Sequence, residues 1–280
     1  MIKSDSHVHT AFSTDSQSPM ESMLLRGIEL GFSSVCFTDH MDYDFPSETD
    51  EPEFLLDVES YFNELNRLSG KYTNIKVRKG IELGLKENII GECRDIVKKY
   101  PFDFVICSTH LVDNMDPYNE RYWEYGDESE RIRHYYETTL DNIKMGVDFD
   151  VYGHIDYIIR YTPYMKKVRA EGRIDEEYMM KHLSKSMDVI EEILKVLIHN
   201  GKGIEINTGG FKYGLGHPNP NEKVLKLYRE LGGEIITVGS DAHEPKHLGY
   251  DFNKVPEILG SCGFRYYTEF TGRKPDMKVV

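Results

Sequence analysis

The sequence predicts an α/β fold in which short strands alternate with helices and close into a barrel. Three observations predict it. Short apolar runs bounded by turn residues recur along the chain, as buried strands do. Longer stretches with helical periodicity separate them, an order that gives parallel strands joined by right-handed crossovers. Six of the runs also end in a residue with an imidazole or a carboxylate. A barrel brings the C-terminal ends of its strands to one rim, so residues spread from position 7 to position 243 would converge there.

The elements follow in order. The first strand runs from Ile2 to His7 and His9. Ser18-Pro19-Met20-Glu21 then reads as a capping box with proline at the first helical position, and Met20, Met23, Leu24, Ile28 and Leu30 form an apolar stripe that Gly31 ends. Val35–Phe37 leads to His40, Ile75–Ile81 to Glu82, Phe104–Ile106 to His110, and Val151–Tyr152 to His154. Gly203–Ile206 leads to Asn207, and Ile235–Val238 to Asp241 and His243. Helices are expected near 53–69, 86–99, 128–145, 175–199, 221–231 and 254–262. Phe264–Phe270 is a candidate for one more strand. With no low-complexity linker, a single domain over residues 1–280 is expected. Two long loops, 41–52 and 111–127, fall on the rim, where such loops serve substrate selection.

Composition narrows the function. The chain is 39% hydrophobic and 29% charged, with a net charge of −14, which disfavours a nucleic-acid polymer as partner. No apolar stretch reaches the roughly 20 residues that span a bilayer, and no segment resembles a signal peptide, so a cytoplasmic protein is expected. Cys36, Cys93, Cys107 and Cys262 form no C-x-x-C pair. A disulfide framework and thiolate zinc are both disfavoured.

Each strand-end residue has an ordinary reading when taken alone, as a helix cap, a loop charge or a buried histidine. Together they differ from chance: six of the eleven histidines sit at strand ends. His7 and His9 are two apart in an extended segment and so face one side. His134, His182, His199, His217 and His247 fall in helices or turns and are read as structural. Imidazole and carboxylate donors suit Zn²⁺, Mn²⁺ or Fe²⁺, and so many donors call for two or three ions.

His7-Val8-His9, Thr38-Asp39-His40, Gly80-Ile81-Glu82, Ser108-Thr109-His110, Gly153-His154 and Ser240-Asp241-Ala242-His243 resemble the ordered motifs of the polymerase and histidinol phosphatase (PHP) superfamily. The likeness runs from residue 2 to about residue 250. Gly153-His154-Ile155-Asp156 with Arg160-Tyr161 is similar to the corresponding segment of the monofunctional histidinol-phosphate phosphatases. The resemblance implies a distorted (β/α)7 barrel with a trinuclear site. His7, His9, Glu82 and Asp241 would hold one ion, with Glu82 bridging to a second held by His110 and His154. Asp15, His40 and His243 would hold the third. Asp15 stands where many members have histidine.

The expected activity is hydrolysis of L-histidinol phosphate by a hydroxide bridging two ions, with Glu82, Asp241, His243 and Arg160 at the reacting centre. Arg160 is the candidate phosphate clamp, because a guanidinium binds phosphate through paired N–H groups. Asn207, Asp113 and Tyr118 are candidate substrate contacts, with Asp116 and Trp123 also available on the rim. Asp39 is expected to orient a histidine ligand. Alternatives from the same residues are a phosphatase of another small phosphomonoester such as a mononucleotide, an oligonucleotide exonuclease, a metal-dependent amidohydrolase, and a non-catalytic metal store.

Overall fold

Seven parallel strands curl into a nearly closed barrel in the computed structural model, which describes residues 2–46 and 54–280. They are β1 (Ser4–Val8), β2 (Ser34–Phe37), β4 (Lys76–Gly84), β5 (Phe104–Ser108), β6 (Val151–Tyr152), β7 (Gly203–Asn207) and β8 (Ile236–Gly239), hydrogen-bonded in that order. A short β3 (His40–Met41) pairs with β4 beside this path, setting His40 opposite Glu82. The barrel closes at its C-terminal rim, where His9 N donates to the Ala242 carbonyl and Asp241 N to the His7 carbonyl, each at 2.9 Å. Every residue of β2, β5, β6, β7 and β8 is buried. Strands covered on both faces read as unbroken apolar runs, which is why they were legible.

An antiparallel hairpin, β9 (Tyr266–Thr271) with β10 (Lys274–Val279), plugs the opposite end. Phe270 joins Cys36, Phe104, Ile106 and Val151 in an apolar cluster inside the barrel. Arg273 binds Asp150 at 2.6 Å, just ahead of β6, and Gly272 N donates to Asp103 just ahead of β5. The candidate strand at 264–270 is therefore real but lies outside the barrel path.

The helices pack around the outside with some differences from expectation. The 175–199 segment forms two helices, Glu176–Lys185 and Met187–His199, separated at Ser186, whose N–H bonds to the Leu183 carbonyl. The helix expected at 53–69 is Val58–Lys71, capped by the Asp57 side chain. Residue 53 and residues 47–52 of the 41–52 loop lie outside the described residues. The expected capping box at Ser18–Glu21 does not form. The Ser18 hydroxyl donates to the His243 carbonyl, and Glu21 binds Lys71, Tyr72 and Arg67. A capping box is built instead at Asp127 and Glu130. The helix Pro163–Ala170 had no expectation; it starts from Thr162, whose hydroxyl accepts from Met165 N. All four cysteines are free and buried.

Candidate metal centre

The strand-end residues do meet on the C-terminal rim. Glu82, at the inward end of β4, is fully buried and its two oxygens face different partners. Oε2 lies 3.1 Å from His7 Nε2, 3.4 Å from His9 Nε2 and 3.1 Å from His40 Nδ1. Oε1 lies 3.0 Å from His154 Nε2 and 3.3 Å from His110 Nε2, and accepts from the Ser108 hydroxyl at 2.7 Å. One carboxylate is thus shared between two groups of imidazoles. Asp241 Oδ1 closes the first group at 3.4 Å from His9 Nε2. Asp15 Oδ2 stands 3.0 Å from His243 Nε2 and 3.7 Å from His40 Nε2. The His9, His40 and His243 rings stack beside it, with centroids 4.2 and 4.3 Å from that of His9.

Four triads here bring their donor atoms close enough for one ion: His7–His9–Glu82, Glu82–His110–His154, His9–His40–His243 and His40–Asp42–His110. The donor atoms also point as ligands do. His9 Nε2, His40 Nδ1 and His243 Nε2 are buried and approach carboxylate oxygens, yet none has hydrogen-bond geometry. Buried polar atoms are rarely left so, and a shared ion would satisfy them. The chemistry of the set, imidazoles and carboxylates, fits a divalent cation.

The charge state favours this use. Burial alone would raise Glu82, but His7, His40 and His110 hold its carboxyl well below the usual range. Asp241 is likewise held low against its burial, by His7, His9 and His243. Burial, with the neighbouring His40 and His243, pushes His9 well down and keeps its ring neutral. His7 goes the other way. Burial opposes its proton, but the Glu205, Glu82 and Asp241 carboxylates outweigh that and raise it.

Two carboxylates that touch histidines of the cluster escaped the sequence reading. Glu205 Oε1 lies 2.7 Å from His7 Nδ1, and its Oε2 accepts from His154 N and Asn207 Nδ2, each at 3.1 Å. Asp42 Oδ1 lies 2.6 Å from His110 Nδ1. Such partners fix the tautomer and leave Nε2 free for an ion. Glycine makes room for both. A Cβ on Gly239 would fall 2.3 Å from Glu205 Oε1, and one on Gly84 would fall 1.7 Å from Asp42 Oδ1. The available signals were an acidic residue inside an apolar strand, and the two-residue spacing from His40 to Asp42.

Other expected site residues divide. Arg160 is buried on the wall of a cavity of about 450 Å³ that opens over the cluster. Its guanidinium packs against the rings of Tyr213, Tyr161 and Tyr157 at 4.1, 4.6 and 5.1 Å, and among the described residues no carboxylate pairs with it. Tyr118, Asp116, Phe45 and Phe54 line the same cavity. Asp113 does not. It binds His134 at 2.9 Å and Arg131 at 3.3 Å in a separate groove, because consecutive left-handed residues, Asp113 and Asn114, turn the chain away. Trp123 is buried with Nε1 on the Pro117 carbonyl. Asn207 sits beneath the cluster, donating to Glu205 and, at 3.4 Å, to Asp241. Asp39 touches no imidazole. It accepts from Thr10 and from the Ser13 hydroxyl, which lies 3.3 Å from His9 Nδ1, so it acts on His9 through Ser13.

A parallel barrel with this rim defines a protein built to hold two or three divalent ions. The PHP domain family matches residues 5–209. The histidinol-phosphatase of Lactococcus lactis subsp. lactis (strain IL1403) is 30% identical over 99% of this chain and 97% of its own length. A probable histidinol-phosphatase of Clostridium acetobutylicum is 31% identical over 93% of this chain and 94% of its own. The crystal structure of histidinol phosphate phosphatase from Lactococcus lactis, complexed with zinc, L-histidinol and phosphate, aligns with a TM-score of 0.84 at 29% identity over 98% of both chains. The chain belongs to the PHP domain family and, within it, to the histidinol-phosphatase family. Among the described residues, no helix is long and apolar enough to cross a membrane.

Proposed function

We propose that the protein hydrolyses L-histidinol phosphate to L-histidinol and phosphate. The observation that carries this reading is Glu82, one carboxylate shared between two imidazole groups under a cavity walled by an unpaired arginine. The near full-length likeness to histidinol-phosphatases supplies the substrate.

In this reading His7, His9, Glu82 and Asp241 hold one ion, Glu82, His110 and His154 a second, and Asp15, His40 and His243 a third. The ions are Zn²⁺, Mn²⁺ or Fe²⁺, which suit imidazole and carboxylate donors. When bound, such ions acidify water to near-neutral pKa and take up charge on phosphoryl oxygens. The chain supplies the rest. Glu205 and Asp42 keep His7 and His110 in the tautomer that presents Nε2. Arg160, held by three tyrosine rings, grips the phosphoryl group through paired N–H donors and holds it in line. Asp116 and the Tyr118 and Tyr161 rings receive the amine and imidazole of the substrate. Burial raises the Asp116 carboxyl above its ordinary value, and an incoming ammonium would offset that. The free, buried cysteines suit the reducing cytoplasm, and the fold acts as one domain over residues 1–280.

The test is kcat/KM for phosphate release from L-histidinol phosphate beside mononucleotides, sugar phosphates and p-nitrophenyl phosphate, using metal-analysed protein. A preference of orders of magnitude for L-histidinol phosphate supports the assignment. Equal slow rates on all of them overturn it.

A further inference from the structure

A second groove, of about 610 Å³, adjoins the metal cavity and shares Tyr213 with it. Its walls carry Lys166, Arg169, Arg173 and Lys212, four cations gathered in a chain whose net charge is −14. Arg173 pairs with Glu171. Among the described residues, no carboxylate pairs with the other three. Lys166 Nζ donates to the Tyr118 carbonyl at 2.5 Å, Arg169 Nη1 to the Arg160 carbonyl at 2.8 Å, and Lys212 Nζ to the Asp241 carbonyl at 2.9 Å. Carbonyls orient these cations, and the carboxylates that act on Lys166 (Glu120 and Asp116) and on Lys212 (Asp241, Glu244 and Asp15) do so without forming an ion pair.

The crowding runs further. Arg169 lies beside Arg160, and the Nε–H groups of both are buried without an acceptor. Burial and the Arg160 charge together push Arg169 below its ordinary value. Like charges held together out of water are unfavourable unless an opposite charge joins them. The Tyr213 ring stands between the two sites, 4.1 Å from the Arg160 guanidinium and 4.5 Å from the Lys212 ammonium.

We propose that this groove is a second oxyanion site, which takes up inorganic phosphate as it leaves the metal cavity. A phosphate dianion matches the chemistry offered: guanidinium forks for paired oxygens, and ammonium groups as point charges. That the oxyanion is the reaction product rests on the function proposed above. The groove's affinity for a dianion stands on its own residues.

Calorimetric titration of metal-loaded protein with inorganic phosphate tests this. The expected result is a second phosphate bound per chain beyond the metal site. Arg169→Gln should weaken only that second site, about tenfold. Because Arg169 also holds the Arg160 carbonyl, Lys166→Gln/Arg173→Gln serves as an independent variant, with a loss of roughly fivefold. Product inhibition by phosphate should change from mixed in the wild type to purely competitive in that double variant. One phosphate per wild-type chain, or a second site indifferent to both variants, would overturn the proposal. The titration reads the groove whether or not L-histidinol phosphate is turned over, so failure of the substrate assignment is seen separately.

Discussion

Replacing Glu205 by glutamine keeps shape and removes one charge, and the surroundings make that costly. One oxygen of Glu205 accepts from His7 Nδ1; the other accepts from His154 N and Asn207 Nδ2. A glutamine has one acceptor and one donor end. If its oxygen stays on His7, its amide N–H₂ faces two donors, leaving buried N–H groups unsatisfied at about 1–3 kcal/mol each. If it flips, the N–H₂ faces His7 Nδ1, the ring proton moves to Nε2, and the atom expected to bind metal is blocked. Either way His7 is a poorer ligand. Loss of such a supporting partner lowers metal affinity about 10–100-fold, or about 1.4–2.7 kcal/mol. Competition with a chelating dye measures the affinity, and circular dichroism checks that the variant is folded. A folded Glu205→Gln protein with wild-type metal affinity and wild-type kcat/KM would refute the role given to this carboxylate.

Three further outcomes are expected. Arg160→Ala should lower kcat/KM for L-histidinol phosphate about 10- to 150-fold, the equivalent of losing a charge-assisted contact of about 1.5–3 kcal/mol; its metal content by plasma mass spectrometry should not change, and unchanged kinetics would remove Arg160 from the site. Asp116→Asn should raise KM for L-histidinol phosphate about tenfold and barely affect p-nitrophenyl phosphate, which has no amine, whereas Asp113→Asn should leave both alone; the reverse pattern in steady-state kinetics would move the amine site. Glu21 is held at about 2, below its ordinary 4.5, by Lys71, Tyr72 and Arg67, so its stabilisation is fully present above about pH 4.5 and is lost as pH falls toward 2. The gap in urea midpoint between wild type and Glu21→Gln should therefore be constant near neutrality and close on acidification, and a gap that widens with acid would contradict this.

The barrel and the gathered ligands were legible in the sequence because both depend on a strand's register. An apolar run fixes where a buried strand ends, and the residue just past it must lie on the rim. What was hidden depends on partners distant in sequence. Glu205 sits within a strand and looks like an interruption until β1 brings His7 beside it. Asp42 looked like one acid in an acidic loop, and the short β3 that aims it at His110 is placed by β4 and by the Ser13 hydroxyl, both distant in sequence. Ser18 and Glu21 carried a sound local signal for a capping box, but the His243 carbonyl and the Arg67–Lys71–Tyr72 cluster claimed their side chains. Asp113 was misplaced for a similar reason: composition put an acid on the rim, while left-handed backbone turned it toward His134. The basic groove escaped because Lys166, Arg169, Arg173 and Lys212 come from two separate segments of a chain whose overall charge is negative.

Stepwise addition of Zn²⁺ or Mn²⁺ to chelator-treated protein, reading bound metal and L-histidinol phosphate turnover on the same samples, tests the shared-carboxylate centre most directly. Turnover should stay near zero until more than one ion is bound per chain and then rise to its maximum, and Glu82→Gln should neither fill nor turn over. Full turnover without metal, with a single ion, or in Glu82→Gln would contradict a centre built around one bridging carboxylate.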